Sequence, residues 1–103
     1  MSEGEKRSKA WIGDAVLALY ARQWILAQDD LSTAGDRAAA FTSMTSNQFL
    51  SAFGDPTSME AEIGTVYERD GLEAAFAFIE TKFLPLYLRQ RKKAQQPGSY
   101  RNR

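Results

Sequence analysis

Apolar residues recur along this chain at steps of three and four, and few of them are β-branched. Val and Ile together number six, against fifteen Ala and nine Leu. A helical period built from helix-favouring residues predicts an all-α fold, here a single domain of about five helices. Trp11, Ile12, Ala15, Val16, Leu19 and Tyr20, extended by Trp24, form the first stripe and predict a helix from about Lys6 to Ala27. A short helix over Ala34 to Ser43 follows. Thr45-Ser46-Asn47-Gln48 fits a capping box, with Thr45 at the cap and Gln48 reaching back, and opens a helix closed at Gly54. Asp55-Pro56 starts another, since proline suits the first helical turn. Asp70-Gly71-Leu72-Glu73 is a third cap signature, ahead of a long stripe through Leu72, Ala75, Phe76, Ile79, Phe83, Leu86 and Tyr87. Pro85 inside that stripe should kink it or begin a new helical turn. After Ala94 the sequence turns polar, and Pro97-Gly98 marks a disordered end. The expected organisation is a helical domain over 1–94 and a basic tail over 95–103.

What the chain lacks narrows its chemistry. It has no cysteine and no histidine, so disulfides, Cys/His zinc sites, a thiol nucleophile and histidine acid–base catalysis are excluded. The longest apolar run, Ala15 to Ala21, is far short of the roughly 20 residues that span a bilayer, and no signal peptide precedes it. The expected location is cytoplasmic, with no membrane partner. Carboxylate chemistry, oxygen-ligand metals or binding alone remain. Lys+Arg and Asp+Glu each number 13, but the balance is uneven. From Arg89 onward there are six cations (Arg89, Arg91, Lys92, Lys93, Arg101 and Arg103) and no acid, which leaves an acidic body. Such a chain can hold a cation in one place and touch a polyanion in another, although a solvated terminus is the plainer reading.

Two glycines stand inside predicted helices, where each costs about 1 kcal/mol relative to alanine. Gly13 is followed by Asp14, on a face shared with Ala10, Ala18 and Ala21. Glu60 lies one turn before Gly64 on its own face. Small residues beside an acid on two different helices let the backbones approach and bring the carboxylates together. Two carboxylates about 4 Å apart repel by roughly 4 kcal/mol at an effective dielectric of 20. A pair held in that way shares a proton or binds a hard divalent cation. The structural alternatives are that Gly13 only permits tight packing and that Glu60 closes a capping box, Thr57-Ser58-Met59-Glu60. Glu62 and Glu68 read as solvent-facing.

These residues also carry a resemblance. Trp11-Ile12-Gly13-Asp14-Ala15-Val16-Leu17 resembles the ribonuclease III signature, and Glu60-Ala61-Glu62-Ile63-Gly64-Thr65-Val66-Tyr67 resembles the second block of that family. Gly71-Leu72-Glu73-Ala74-Ala75 continues as the family does. Ser46-Asn47-Gln48-Phe49-Leu50 is similar to its connecting helix, and Phe83-Leu84-Pro85-Leu86 recurs near the end of such domains. The similarity covers about residues 9–88, in the right order.

The resemblance implies an all-helical homodimer that cleaves double-stranded or structured RNA with Mg²⁺, or Mn²⁺ in its place. Of the four family carboxylates, two transfer, as Asp14 and Glu60, the implied catalytic and metal-binding residues. The other two fall on Ala10 and Thr57. The mini-ribonuclease III branch, which lacks a double-stranded RNA-binding domain, also tends to have Ala and Thr there, and is the closer match. The spacing of 46 residues from Asp14 to Glu60 is shorter than in either branch, only eight residues precede Lys9, and Glu62 replaces an apolar residue. Arg89, Arg91, Lys92 and Lys93 are the expected phosphate contacts. The competing expectation is a catalytically inactive dimeric domain that binds RNA or a ribonucleoprotein. The aromatic content, 12%, also predicts a homodimer, with Trp11, Trp24, Phe41 and Phe53 partly exposed in a monomer.

Overall fold

Six helical segments and no strand make up residues 1–95, the part of the chain that this computed structural model describes. They are α1 (Glu3–Leu26), α2 (Ala34–Thr45), α3 (Asn47–Leu50), α4 (Pro56–Asp70), α5 (Leu72–Lys82) and α6 (Leu84–Gln95). Five are longer than ten residues and α3 is a single turn, so the all-α expectation of about five helices holds. Residues 96–103, nearly all of the predicted tail, lie outside the described part.

Local chemistry explains most of the helix ends. Ser2 and Glu5 form a reciprocal capping box, which starts α1 three residues earlier than its apolar stripe suggests. Thr33 caps α2 by accepting the Asp36 N–H, and Asp55 caps α4 by accepting the Ser58 N–H at 2.9 Å, with Pro56 in the first turn. Other predicted ends move, and the helix expected to close at Gly54 is a single turn ending at Leu50. Thr45 does not cap a helix but closes α2, its hydroxyl donating to the Phe41 carbonyl at 2.7 Å. The cap of α3 is Ser46, whose hydroxyl accepts the Phe49 N–H at 3.1 Å. Asp70 ends α4 and pairs with Arg69, while Gly71, at φ 95°, turns the chain into α5 without a side-chain cap. Pro85 starts a helix rather than bending one, because α5 stops at Lys82 and α6 opens at Leu84.

α1 is the central element. It packs most extensively on α4 and also touches α2 and α5. Leu17, Leu50, Ile63, Ile79 and Phe83 are almost wholly buried around it. Removing such side chains from water contributes about 1.5–3 kcal/mol each. Edge-to-face aromatic pairs close the rest: Phe53 with Phe83 at 4.7 Å, Tyr20 with Phe76 at 5.3 Å and Trp24 with Tyr87 at 5.5 Å. Among the described residues no polar or charged side chain is fully buried.

The buried face of α1 is not the face its bulky residues mark. Ala10, Gly13, Val16, Leu17, Tyr20, Ala21 and Ile25 are buried, whereas Trp11, Ala15 and Leu19 face outward. Small residues occupy the crossing with α4, where backbone rather than side chains fills the space. Trp24, Phe41 and Phe53 are half-buried against the core, and Trp11 is 80% exposed. Among the described residues no helix is long and apolar enough to cross a membrane.

Candidate functional site

The crossing of α1 and α4 is a backbone-to-backbone contact made by two glycines. A methyl group at Gly13 would overlap the Glu60 carbonyl and lie 2.9 Å from the Gly64 nitrogen. One at Gly64 would overlap the Lys9 carbonyl and lie 3.1 Å from the Gly13 nitrogen. Real Cβ atoms do not approach backbone that closely, so only glycine fits at either position. The helix-interior cost of both residues is thereby explained.

This contact brings Asp14 and Glu60 together. Asp14 is exposed and Glu60 half-buried. Among the described residues the ion pairs engage other acids, leaving these two carboxylates without a cationic partner. The Glu60 carboxyl is pushed up to about 7, first by burial, then by its hydrogen bond to Asp14 and by the negative charge there. A carboxylic acid titrating near neutrality beside a second carboxylate is a proton-sharing or cation-binding pair. The capping alternative for Glu60 does not hold, because the cap of α4 is Asp55 and Thr57 already lies inside the helix.

Ala10 and Thr57, one helical turn before Asp14 and Glu60, add no charge beside the pair: Ala10 is buried and Thr57 half-buried. Among the described residues no group of three or more acidic, His or Cys side chains is placed to hold a metal. Two carboxylates still suit Mg²⁺, which dehydrates reluctantly and is commonly bound through one or two carboxylates plus water and phosphate oxygens. Glu62 and Glu68 are ion-paired rather than free: Glu62, half-buried, accepts from Lys82 at 2.9 Å, and Glu68 pairs with Lys9. Lys9, which supplies the carbonyl against Gly64, thus also sets a cation near the crossing. Its partner is 59 residues away, and no local pattern announces it.

The basic segment is a helix end, not a loose tail, as far as residue 95. Arg89, Lys92 and Lys93 are exposed on α6. Arg91 is engaged within the molecule, paired with Asp30 and 5.6 Å above the Trp24 ring. That contact sets the C-terminal half of α6 beside Trp24, ten residues beyond Asp14 on α1, about 15 Å along the axis at 1.5 Å per residue. An apolar surface adjoins the acidic pair more closely. Ile12, Ala15, Val16, Leu19, Tyr67 and Leu72 line a shallow cleft of about 310 Å³, and Trp11 lies one turn before Ala15.

No protein-family model, curated protein or solved structure matches this chain.

Proposed function

We propose that this protein is a divalent-metal-dependent endoribonuclease of ribonuclease III type, acting as a homodimer on double-stranded or structured RNA in the cytoplasm. The observation that carries the proposal is the convergence of Asp14 and Glu60 across two glycines, with Glu60 titrating near neutrality. These are the two residues that the sequence blocks align with the family's metal-binding acids.

Asp14 and Glu60 would hold Mg²⁺, or Mn²⁺, with water and substrate oxygens completing the sphere. Such an ion, when bound, polarises a phosphoryl oxygen and lowers the pKa of a coordinated water. The chain's own part is electrostatic and geometric. Asp14 is exposed to solvent, and half-buried Glu60 gives up its proton near pH 7, so Glu60 adds its charge to the pair only above neutrality. With no histidine or cysteine in the chain, no side-chain base of those types is present. An A-form duplex is recognised by backbone shape, and two copies of the site would address its two strands. Trp11, 80% exposed beside the apolar cleft, supports self-association on that side of α1. Exposed Arg89, Lys92 and Lys93 would add phosphate contacts remote from the carboxylates.

The second reading is a non-cleaving dimeric RNA-binding domain, favoured by the absence of a third acidic ligand among the described residues. Incubation of purified protein with duplex RNA and Mg²⁺ or Mn²⁺, alongside Asp14→Asn, separates the two. Cleavage by the wild type that the variant loses supports the nuclease. Binding without cleavage under either metal supports the second reading.

A further inference from the structure

A second surface, unrelated to the carboxylate pair, has the composition of a small-ligand site. Between the C-terminal turns of α1 and the middle of α2 lies a cleft of about 440 Å³. Its apolar lining comes from both helices: buried Ile25 and exposed Leu26 on α1, half-buried Phe41 and exposed Ala38 on α2. Its charged lining is two arginines, Arg22 and Arg37, and no acid. Among the described residues neither arginine has an ion-pair partner, in a body that otherwise carries more acids than bases.

Each guanidinium, on an exposed residue, makes one contact within the molecule. Arg22 lies 4.3 Å above the Phe41 ring centroid, a cation–π contact with the apolar lining. Arg37 donates its Nε–H to the Leu31 carbonyl at 2.9 Å. That bond leaves both Nη groups of Arg37 to donate elsewhere, in the fork geometry that suits a carboxylate, sulfonate or phosphate. The volume lies within the range of ordinary small-molecule sites, which combine apolar walls with a few fixed polar groups.

We infer that the Arg22–Arg37 cleft between α1 and α2 binds a small amphipathic anion, an apolar body of about six to ten carbons carrying one acidic headgroup. The apolar body lies on Ile25, Leu26, Ala38 and Phe41, and the headgroup meets the two arginines. A neutral molecule of the same shape forfeits the charge-assisted hydrogen bonds, and a bare anion forfeits the apolar lining. This inference does not rest on the nuclease reading, since its residues are not those of the carboxylate pair.

The test uses the whole chain, with octanoate as probe and octanol as its uncharged control, followed by calorimetry and by amide chemical shifts. Octanoate should bind at least tenfold more tightly than octanol and shift the amides of Leu26, Ala38 and Phe41. Arg37→Gln and Arg22→Gln should each weaken octanoate at least fivefold and leave octanol unchanged. Ala38→Leu changes an exposed helical residue that keeps both arginines, and should block both probes by filling the cleft. Circular dichroism establishes that each variant is folded. Equal affinity for the two probes, shifts that map to another surface, an unaltered octanoate affinity in both arginine variants, or no octanoate binding would each overturn the inference.

Discussion

Burial and the neighbouring Asp14 hold the Glu60 carboxyl up at about 7, well above the ordinary carboxylate range. Below about pH 4.5 the folded and unfolded chains both keep it protonated. Between there and about pH 7 only the folded chain holds the proton, so its contribution to stability falls as the pH rises, and above 7 the loss is complete. One pKa unit corresponds to about 1.4 kcal/mol, and solvent screening at a half-buried position leaves a net change of about 1–2 kcal/mol. Glu60→Gln should remove this dependence. Chemical denaturation of both proteins from pH 4 to 8 should show the variant gaining on the wild type across that window, and parallel curves would show that the pair is not coupled. Metal follows the same proton. Under the proposed function Mg²⁺ or Mn²⁺ would have to displace it, so apparent metal affinity should fall about tenfold for each pH unit below 7. At 100 times its dissociation constant a metal adds about 2.7 kcal/mol to folding. Asp14→Asn should lose most of that rise in melting temperature without being less stable in metal-free buffer.

At the scale of elements, the α1–α4 crossing and the α6 end make opposite demands. Gly13→Ala gains about 1 kcal/mol of helix propensity but drives a methyl into the Glu60 carbonyl, so the net effect should be destabilising by about 2–3 kcal/mol or more. Gly35→Ala, in the first turn of α2, meets nothing within 4 Å and should be neutral or stabilising by up to about 1 kcal/mol. Thermal melts of the two variants test this directly, and equal melting temperatures would mean that the helices separate freely. On α6 the cations divide. Neutralising Arg89, Lys92 and Lys93 together should leave stability within about 0.5 kcal/mol, because all three are exposed. The same change should lower the log–log salt slope of duplex binding by up to about 0.9 per lost phosphate contact. Arg91→Gln should instead cost stability, through loss of the Asp30 pair and the Trp24 contact, with little effect on the slope. A slope that responds to Arg91 alone would reverse this assignment.

For the whole molecule, the outward side of α1 is the surface on which the proposed dimer would form. Trp11 is 80% exposed and Leu19 and Leu72 about 40% exposed, beside a cleft that is itself apolar. Replacing Trp11 by Glu removes no core contact and places a charge on that surface. Light scattering at tens of micromolar should give a mass twice 11.5 kDa for the wild type and 11.5 kDa for Trp11→Glu, with unchanged helicity by circular dichroism. A wild type that scatters as a monomer would remove the dimer from the proposal and with it the paired-site account of duplex cleavage.

Helical class and the positions of Asp55 and Pro85 at helix starts follow from local chemistry, because capping and propensity act within four residues. The pairing of Asp14 with Glu60 was legible too, since an interior glycine is unfavourable unless another backbone lies against it. Local chemistry could not orient α1. From Ala15 to Ala21 it is apolar on every side, so bulk pointed to Trp11 and Leu19 while the glycine contact turned Ala10, Gly13 and Ala21 inward. Nor could it reveal that Arg91 is held by Asp30, that Lys9 meets Glu68, or that Arg22 and Arg37 share one cleft. The first two are contacts between residues some 60 positions apart, and the cleft exists only where two helices pack; tertiary packing alone sets such distances.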